Sequence, residues 1–259
     1  MMALAKGRYD VRLAQGACDI AQAQRLRWLC FVGQRQAGAG AAGAFDPEDG
    51  PLDRDDHDER CQQVLIRETR SGDLVGCFRM LTLPDGAAID DSYSARYYDL
   101  ARLRAFPAPM VEIGRFCVHP AHSDPDILRL AWGALARHVD AAGVRLIFGC
   151  SSFMGTEPGG YEDAFAMLRE RHLAPRRWLP RVKAPQVFRF ARALRRRKAD
   201  PRAAMAAMPP LLRSYLAMGG WVSDHAVVDR QLDTLHVFTG LEIGAIPAAR
   251  ARLLRLAGA

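Results

Sequence analysis

Apolar positions recur at helical spacing from Ile20 to Phe31, where Ala23, Leu26 and Leu29 or Cys30 share one face and Asp19 stands ready to cap. The stretch from Gly33 to Gly50, rich in Gly, Ala and acids, predicts a mobile loop. Two apolar runs, Gln63–Thr69 and Leu74–Leu81, flank Arg-Ser-Gly-Asp and predict a β-hairpin. A further strand is expected over Met110–Val118, ended by His119-Pro120. The strongest helix signal follows, with Asp124 as cap and Pro125 at the first helical position. Its apolar face is Ile127, Leu130, Ala131, Ala134, Leu135, His138 and Val139, and Gly143 stops it. Val144–Cys150 then predicts a buried strand, so strand, helix and strand imply a right-handed crossover between parallel or near-neighbour strands. Helices over Glu162–Leu173 and Pro209–Gly219 and a last strand over Asp233–Leu241 complete the pattern. With no internal repeat and no linker, residues 1–259 predict one mixed α/β (α+β) domain carrying a basic helical insertion over about 161–219.

Charge changes this picture more than composition does. At 259 residues, 49% hydrophobic and 25% charged, the chain can bury a core, and wholesale disorder is excluded. No run of 18 apolar residues predicts a transmembrane helix, and the first residues lack a secretory signal, so a cytoplasmic protein is expected. Six scattered cysteines, without Cys-x-x-Cys or metal-ligand spacing, predict buried thiols and no metal site. The net charge of +7 is unevenly placed. Residues 171–199 hold 11 Lys or Arg and no acid, which leaves −4 (7 minus 11) elsewhere. Residues 46–60 hold eight acids against two bases. Such a stripe is either a solvated face or a landing surface for a polyanion, an acidic protein or an anionic membrane. With only Trp178, Phe188 and Phe190 as aromatics and no nucleic-acid motif, nucleic acid is not the expected partner.

Phosphate-binding, dinucleotide-binding, zinc-protease and nucleophile-elbow motifs are all absent from the sequence. Ser151 and Ser152 follow a predicted strand, where a serine pair alone is a weak nucleophile signal; His138 fits a core position. Two constellations remain. Asp53-x-Asp55-x-x-Asp58 sets three carboxylates close together, which demands either solvent or a facing cation. Glu112-Ile-Gly-Arg115 puts an ionisable pair inside an apolar strand, where residues three apart point to opposite faces unless a bulge at Gly114 turns them together. Such a pair is costly in a core unless it is paired or used.

These motifs, in this order, resemble the GNAT acyltransferase fold, a central mixed twisted sheet flanked by helices. Asp53-x-Asp55-x-x-Asp58, Gly76-Cys-Phe-Arg79 and Glu112-x-x-Arg115 are similar to the pattern of acyl-homoserine-lactone synthases, whose N-terminal Arg and Phe match Arg27 and Phe31. The broadest resemblance is to bacterial ornithine Nα-acyltransferases of ornithine-lipid synthesis. It rests on Leu26-Arg-Trp-Leu-Cys-Phe, Glu112-Ile-Gly-Arg-Phe-Cys-Val-His-Pro, Phe148-Gly-Cys-Ser-Ser-Phe-Met-Gly-Thr, Pro209-Pro-Leu-Leu-Arg-Ser-Tyr-Leu and Gly220-Trp-Val-Ser-Asp-His-Ala-Val-Val-Asp. The resemblance implies transfer of a 3-hydroxyacyl chain from acyl carrier protein to the α-amino group of ornithine. The donor is a phosphopantetheine thioester, and no further cofactor is needed. Amide formation then assigns Glu112 as base, directly or through water, with Arg115 orienting either Glu112 or the substrate carboxylate. Asp53, Asp55 and Asp58 would attract a side-chain amine, with Arg79 and Arg27 completing the substrate site. Phe116, Cys117, Val118, Phe148, Ser151 and Ser152 would line the acyl cleft. Arg176, Arg177, Arg195, Arg196, Arg197 and Lys198 would dock the carrier protein, with an anionic membrane face as a further contact. Glutamine or another amino acid as acceptor, lactone synthesis, and a non-catalytic polyanion-binding module are the alternatives.

Overall fold

The computed structural model describes residues 3–33 and 50–258, so residues 34–49 of the expected loop lie outside the described residues. The chain begins with strands β1 (Ala3–Lys6) and β2 (Tyr9–Leu13), helix α1 (Ala17–Trp28) and a π-helical turn (Leu29–Gly33). Strands β3 (Gln62–Glu68) and β4 (Leu74–Leu83) follow, then short 3-10 turns around β5 (Tyr98–Asp99). Next come β6 (Met110–Val118), helix α2 (Pro125–Ala142), β7 (Leu146–Met154) and helix α3 (Glu162–Arg171). Two-residue strands β8 (Arg181–Val182) and β9 (Val187–Phe188) precede short helices α4 (Phe190–Ala193), α5 (Pro201–Ala207) and α6 (Pro210–Ala217). The chain finishes with β10 (Trp221–Asp229), β11 (Thr234–Glu242) and helix α7 (Ala248–Gly258). Among the described residues, no helix is long and apolar enough to cross a membrane.

Where the sequence predicts one domain, the chain gathers into two compact units. One comprises residues 1–82, 113–142 and 248–259, the other residues 83–112 and 143–247. Two of the four boundaries fall within β4 and β6, inside apolar strand segments, and the other two fall at Gly143 after α2 and at Pro247 before α7.

In the first unit β1, β2, β3 and β4 form an antiparallel meander with Val11 opposite Ile66, Val64 opposite Phe78 and Leu65 opposite Cys77. Helix α1 and the π-helical turn after it cover this meander with Ala23, Leu26 and Leu29, which cluster with Leu65, Leu74, Cys77 and Cys117. The helix starts at Ala17, ahead of the expected cap. Asp19 sits within its first turn, salt-bridges Arg12 at 2.5 Å and accepts the backbone N–H of Gln15 at 2.9 Å. The Arg12 hydrogen bond holds this carboxyl down at about 2, against its partial burial. Helix α2 begins as predicted. Asp124 Oδ1 accepts the Asp126 N–H at 2.9 Å, and Ile127, Leu130, Ala131, Ala134, Leu135 and Val139 are buried. His138 on the same helix is half-buried beside Thr82. Gly143, at φ 63, supplies the left-handed stop that a side chain would resist.

In the second unit β11 lies between β7 and β10, antiparallel to both, with Leu235 opposite Phe153 and Val227 opposite His236. Its core holds Phe153, Phe165, Phe190, Leu212, Val222 and Val237. Strand β7 runs on to Met154, so Ser151 and Ser152 stand within it rather than after it. Ser151 points inward to Thr239 at 2.9 Å and Ser152 is exposed, the alternation a strand imposes. The insertion is less helical than its composition suggests. Pro175, Pro180, Pro185, Pro201, Pro209 and Pro210 break the run into short pieces.

Candidate active site

The three aspartates are matched by three guanidiniums, all within the first unit. Arg27, on the inner face of α1, is fully buried. Its Nε donates to Asp53 Oδ2 at 2.9 Å, and its Nη1 and Nη2 hold both oxygens of Asp58 at 2.7 and 2.9 Å. Arg79, on β4, grips Asp55 with both nitrogens at 2.5 and 2.8 Å and reaches Asp58 at 3.1 Å. Arg115, on β6, lies 3.1 Å from Asp53 and 3.3 Å from Asp55. Gln24 and Gln63 each donate to Asp58 at 3.0 Å. The Asp55 side chain closes a turn by accepting the His57 N–H at 3.0 Å, and Asp55 and Asp58 both reach Arg79. Burial would push the carboxyls of Asp55 and Asp58 up. Hydrogen bonds and charge from Arg79 and Arg27 more than offset it and hold both below the usual range. The facing cations that three such carboxylates demand are therefore Arg27, Arg79 and Arg115, a network with three charges of each sign. The acidic run is local, but its cations come from α1, β4 and β6.

Arg115 adopts φ 52, the left-handed region, in the middle of β6. The irregularity expected at Gly114 thus falls one residue later, on a side chain that prefers to avoid it, at a cost of order 1–3 kcal/mol. Its guanidinium lies 5.8 Å over the ring of Phe31, so the Arg and Phe singled out near the N-terminus both reach this network.

Glu112 belongs to the second unit. It is buried, 4% exposed, and its carboxylate accepts three hydrogen bonds. Tyr93 N–H donates at 2.8 Å, Ser94 N–H at 2.7 Å and the Ser94 hydroxyl at 2.5 Å. Tyr93 and Ser94 open a 3-10 turn whose first N–H groups point at the carboxylate. The Ser94 hydroxyl is also 3.5 Å from the Cys150 thiol. Burial, followed by the charge of Glu112, pushes the Tyr215 hydroxyl up and keeps it protonated. The Glu112–Arg115 pair expected from the strand motif has a partner set for each residue: Tyr93 and Ser94 for one, Asp53 and Asp55 for the other. Sequence reasoning missed Ser94, since nothing in Ser92-Tyr-Ser-Ala-Arg marks a serine aimed at a glutamate 18 residues ahead.

The remaining predicted residues scatter over both units. In the first, Phe116 stacks on Phe78 at 5.6 Å, buried Cys117 lies 3.5 Å from the Cys77 sulfur, and the Val118 carbonyl accepts the Cys30 thiol. In the second, Phe148 is fully buried and stacked on Phe238 at 5.8 Å. None of the six cysteines is in a disulfide, only Cys77 and Cys117 are buried, and Cys18 is exposed in the first turn of α1. Arg176, Arg177, Arg195, Arg196, Arg197 and Lys198 are all exposed. Arg177 pairs with Glu242 and Arg197 with Asp163.

The family model for the acetyltransferase (GNAT) domain matches residues 26–133, a span that includes Arg27, the three aspartates, Arg79, Glu112 and Arg115. Over 250 residues, 95% of this chain and 94% of the relative, the sequence is 34% identical to the L-ornithine Nα-acyltransferase of Rhodobacter capsulatus. The chain belongs to the L-ornithine Nα-acyltransferase family. Another family member, from Rhizobium meliloti, is 30% identical over 92% of this chain and 81% of its own length. Among solved structures, the N-acyl amino acid synthase FeeM from uncultured soil microbes superposes with a TM-score of 0.46, at 9% identity, over 92% of each chain. As an L-ornithine Nα-acyltransferase family member the protein is an acyltransferase with a GNAT domain, and the two site clusters fall on that domain's span.

Proposed function

We propose that this acyltransferase joins a 3-hydroxyacyl chain to the α-amino group of ornithine, drawing the chain from the phosphopantetheine thioester of acyl carrier protein. The likeness over nearly the whole length to the L-ornithine Nα-acyltransferase of Rhodobacter capsulatus carries this reading. In the reaction the α-nitrogen attacks the thioester carbonyl, the C–N bond forms, and the C–S bond breaks to release the carrier-protein thiol. The attacking ammonium must first lose a proton. Glu112 takes it, directly or through a bound water, and the three donors from Tyr93 and Ser94 hold its carboxylate in the orientation the transfer needs. Arg115 meets the ornithine carboxylate. Its strained backbone and its bonds to Asp53 and Asp55 fix where the guanidinium points. Asp55, with the most exposed side chain of the trio, faces the side-chain amine, while Arg79 and Arg27 hold the carboxyls of Asp55 and Asp58 below the usual range. Phe116, Cys117 and Val118 form one wall of the acyl path. The donor brings its own reactive group, so no further cofactor is required.

Acyl carrier proteins are acidic, and the exposed stripe offers the complementary charge. The protein is expected to work in the cytoplasm, where this donor is made. Exposed ion pairs contribute only roughly 0.2–1 kcal/mol each, so a single substitution should do little. Replacing Arg195, Arg196, Arg197 and Lys198 together by Ser should raise the Michaelis constant for acyl carrier protein by about three- to tenfold and flatten its salt dependence. Ornithine saturation should stay unchanged. The measurement is the rate of ornithine-dependent thiol release from 3-hydroxyacyl carrier protein at two salt concentrations. Curves that superimpose on those of the parent would remove the stripe from donor recognition.

A further inference from the structure

Five large apolar side chains are exposed among the described residues, and two of them, Leu253 at 58% and Leu256 at 53%, lie one turn apart on α7. Residues three or four apart share a helix face. Arg250 precedes Leu253 by three and Arg252 precedes Leu256 by four, so an arginine flanks the leucine pair on either side. Residues 243–258 contain three arginines and no acid.

The roll of this helix is fixed by its opposite face. Gly258 lies against Gly133 of α2 so closely that a Cβ on Gly133 would sit 2.7 Å from the Ala257 carbonyl carbon. A Cβ on Gly258 would sit 2.6 Å from the Gly133 carbonyl oxygen. Both obstacles are backbone and cannot yield. Arg255 is tied to Asp140 of α2 at 3.1 Å, and Ala251 and Leu254 are half-buried beneath the helix. Neither leucine can therefore turn inward without undoing the α2 contact.

We infer that α7 is an interfacial helix that seats the protein on an anionic lipid surface. Leu253 and Leu256 would enter the headgroup boundary, and Arg250 and Arg252 would meet lipid phosphates from its two sides. An apolar stripe bordered by long basic side chains, whose stems follow the apolar surface while their heads reach phosphate, is the pattern such helices use. The flanking charge selects an anionic bilayer over an uncharged protein partner. This inference concerns the first unit alone and stands apart from the acyl-transfer reading, so a failure of either leaves the other intact.

The test is co-sedimentation of the full chain with phosphatidylglycerol vesicles and with phosphatidylcholine vesicles. The parent should bind the former, bind the latter weakly, and release as salt rises. Leu253→Ser with Leu256→Ser should lower the apparent partition coefficient by about tenfold or more. Arg250→Gln with Arg252→Gln, which touches no packing, should lower it several-fold and weaken its salt response. Melting curves should match the parent, and the stripe variant described above should bind like the parent. Absence of parent binding to phosphatidylglycerol would overturn the inference. So would unchanged binding by the leucine variant, or a parent dimer that the leucine variant turns into a monomer, since a second copy would then be what covers the face.

Discussion

Replacing Glu112 by Gln is expected to lower turnover by about 10²-fold or more, the usual loss on removing a general base. That factor corresponds to roughly 2.7 kcal/mol of barrier. The substitution preserves shape but exchanges one acceptor oxygen for an NH₂ group. Tyr93 N–H, Ser94 N–H and the Ser94 hydroxyl all donate toward this position, so one donor must turn away or go unmet. An unmet buried donor costs about 1–3 kcal/mol, and the variant should melt at lower temperature yet still fold. Ser94→Ala separates the two effects, because it removes one hydrogen bond and keeps the carboxylate. It should lose some stability and retain most of the turnover. Normal turnover per folded molecule in Glu112→Gln, read alongside its melting curve, would reduce Glu112 to a structural tie.

Arg27→Met should be the most damaging single change to stability in the first unit. It removes one cation from each of two half-buried carboxylates, leaving Asp53 with Arg115 and Asp58 with Arg79, while keeping much of the apolar stem. Breaking a buried pair typically costs about 3–5 kcal/mol, and the loss here should fall toward the lower end because Arg115 and Arg79 still face these carboxylates. The same network sets an acid limb. Asp55 and Asp58 have folded values held below the unfolded reference near 3.9. Their contribution is fully present above that reference and is lost as pH falls through the folded values. The melting temperature should therefore be level from about pH 7 to 5 and drop below about pH 4. In Arg27→Met the Asp58 share of that drop should shrink, because Arg27 no longer holds its folded value below the unfolded one. Adding Asp58→Asn to Arg27→Met should recover part of the loss. A cost under about 1 kcal/mol, measured by denaturant unfolding, would show that solvent rather than Arg27 balances these carboxylates.

Signals confined to a few neighbouring residues were legible. The Asp124-Pro125 start of α2, the β3–β4 hairpin and β6 follow from capping, turn residues and apolar runs, and they stand where expected. Partnerships across long separations were not. The Asp53-x-Asp55-x-x-Asp58 run announces that cations are needed, but only the packing of α1 and β4 against it brings Arg27 and Arg79. Ser94 reaches Glu112 because the intervening chain doubles back, which no local spacing records. Strands β1, β2 and β10 went unread although each pairs with a sequence neighbour. The β1–β2 hairpin is short, with Lys6, Arg8, Asp10 and Arg12 among its few apolar positions, and the bulge between Val222 and Ala226 interrupts the alternation of β10. The insertion was misjudged in the opposite sense. Its basic residues suit helices, yet the prolines among them decide the outcome.

The central claim is the identity of the acceptor, and mass spectrometry of the products tests it most directly. Purified protein would be incubated with 3-hydroxyacyl carrier protein and an equimolar mixture of ornithine, glutamine, lysine and S-adenosylmethionine. The expected product is 3-hydroxyacyl-ornithine acylated on the α-nitrogen, with fragmentation showing a free side-chain amine. Acyl-glutamine, an acyl-homoserine lactone, or no amide at all would contradict the account.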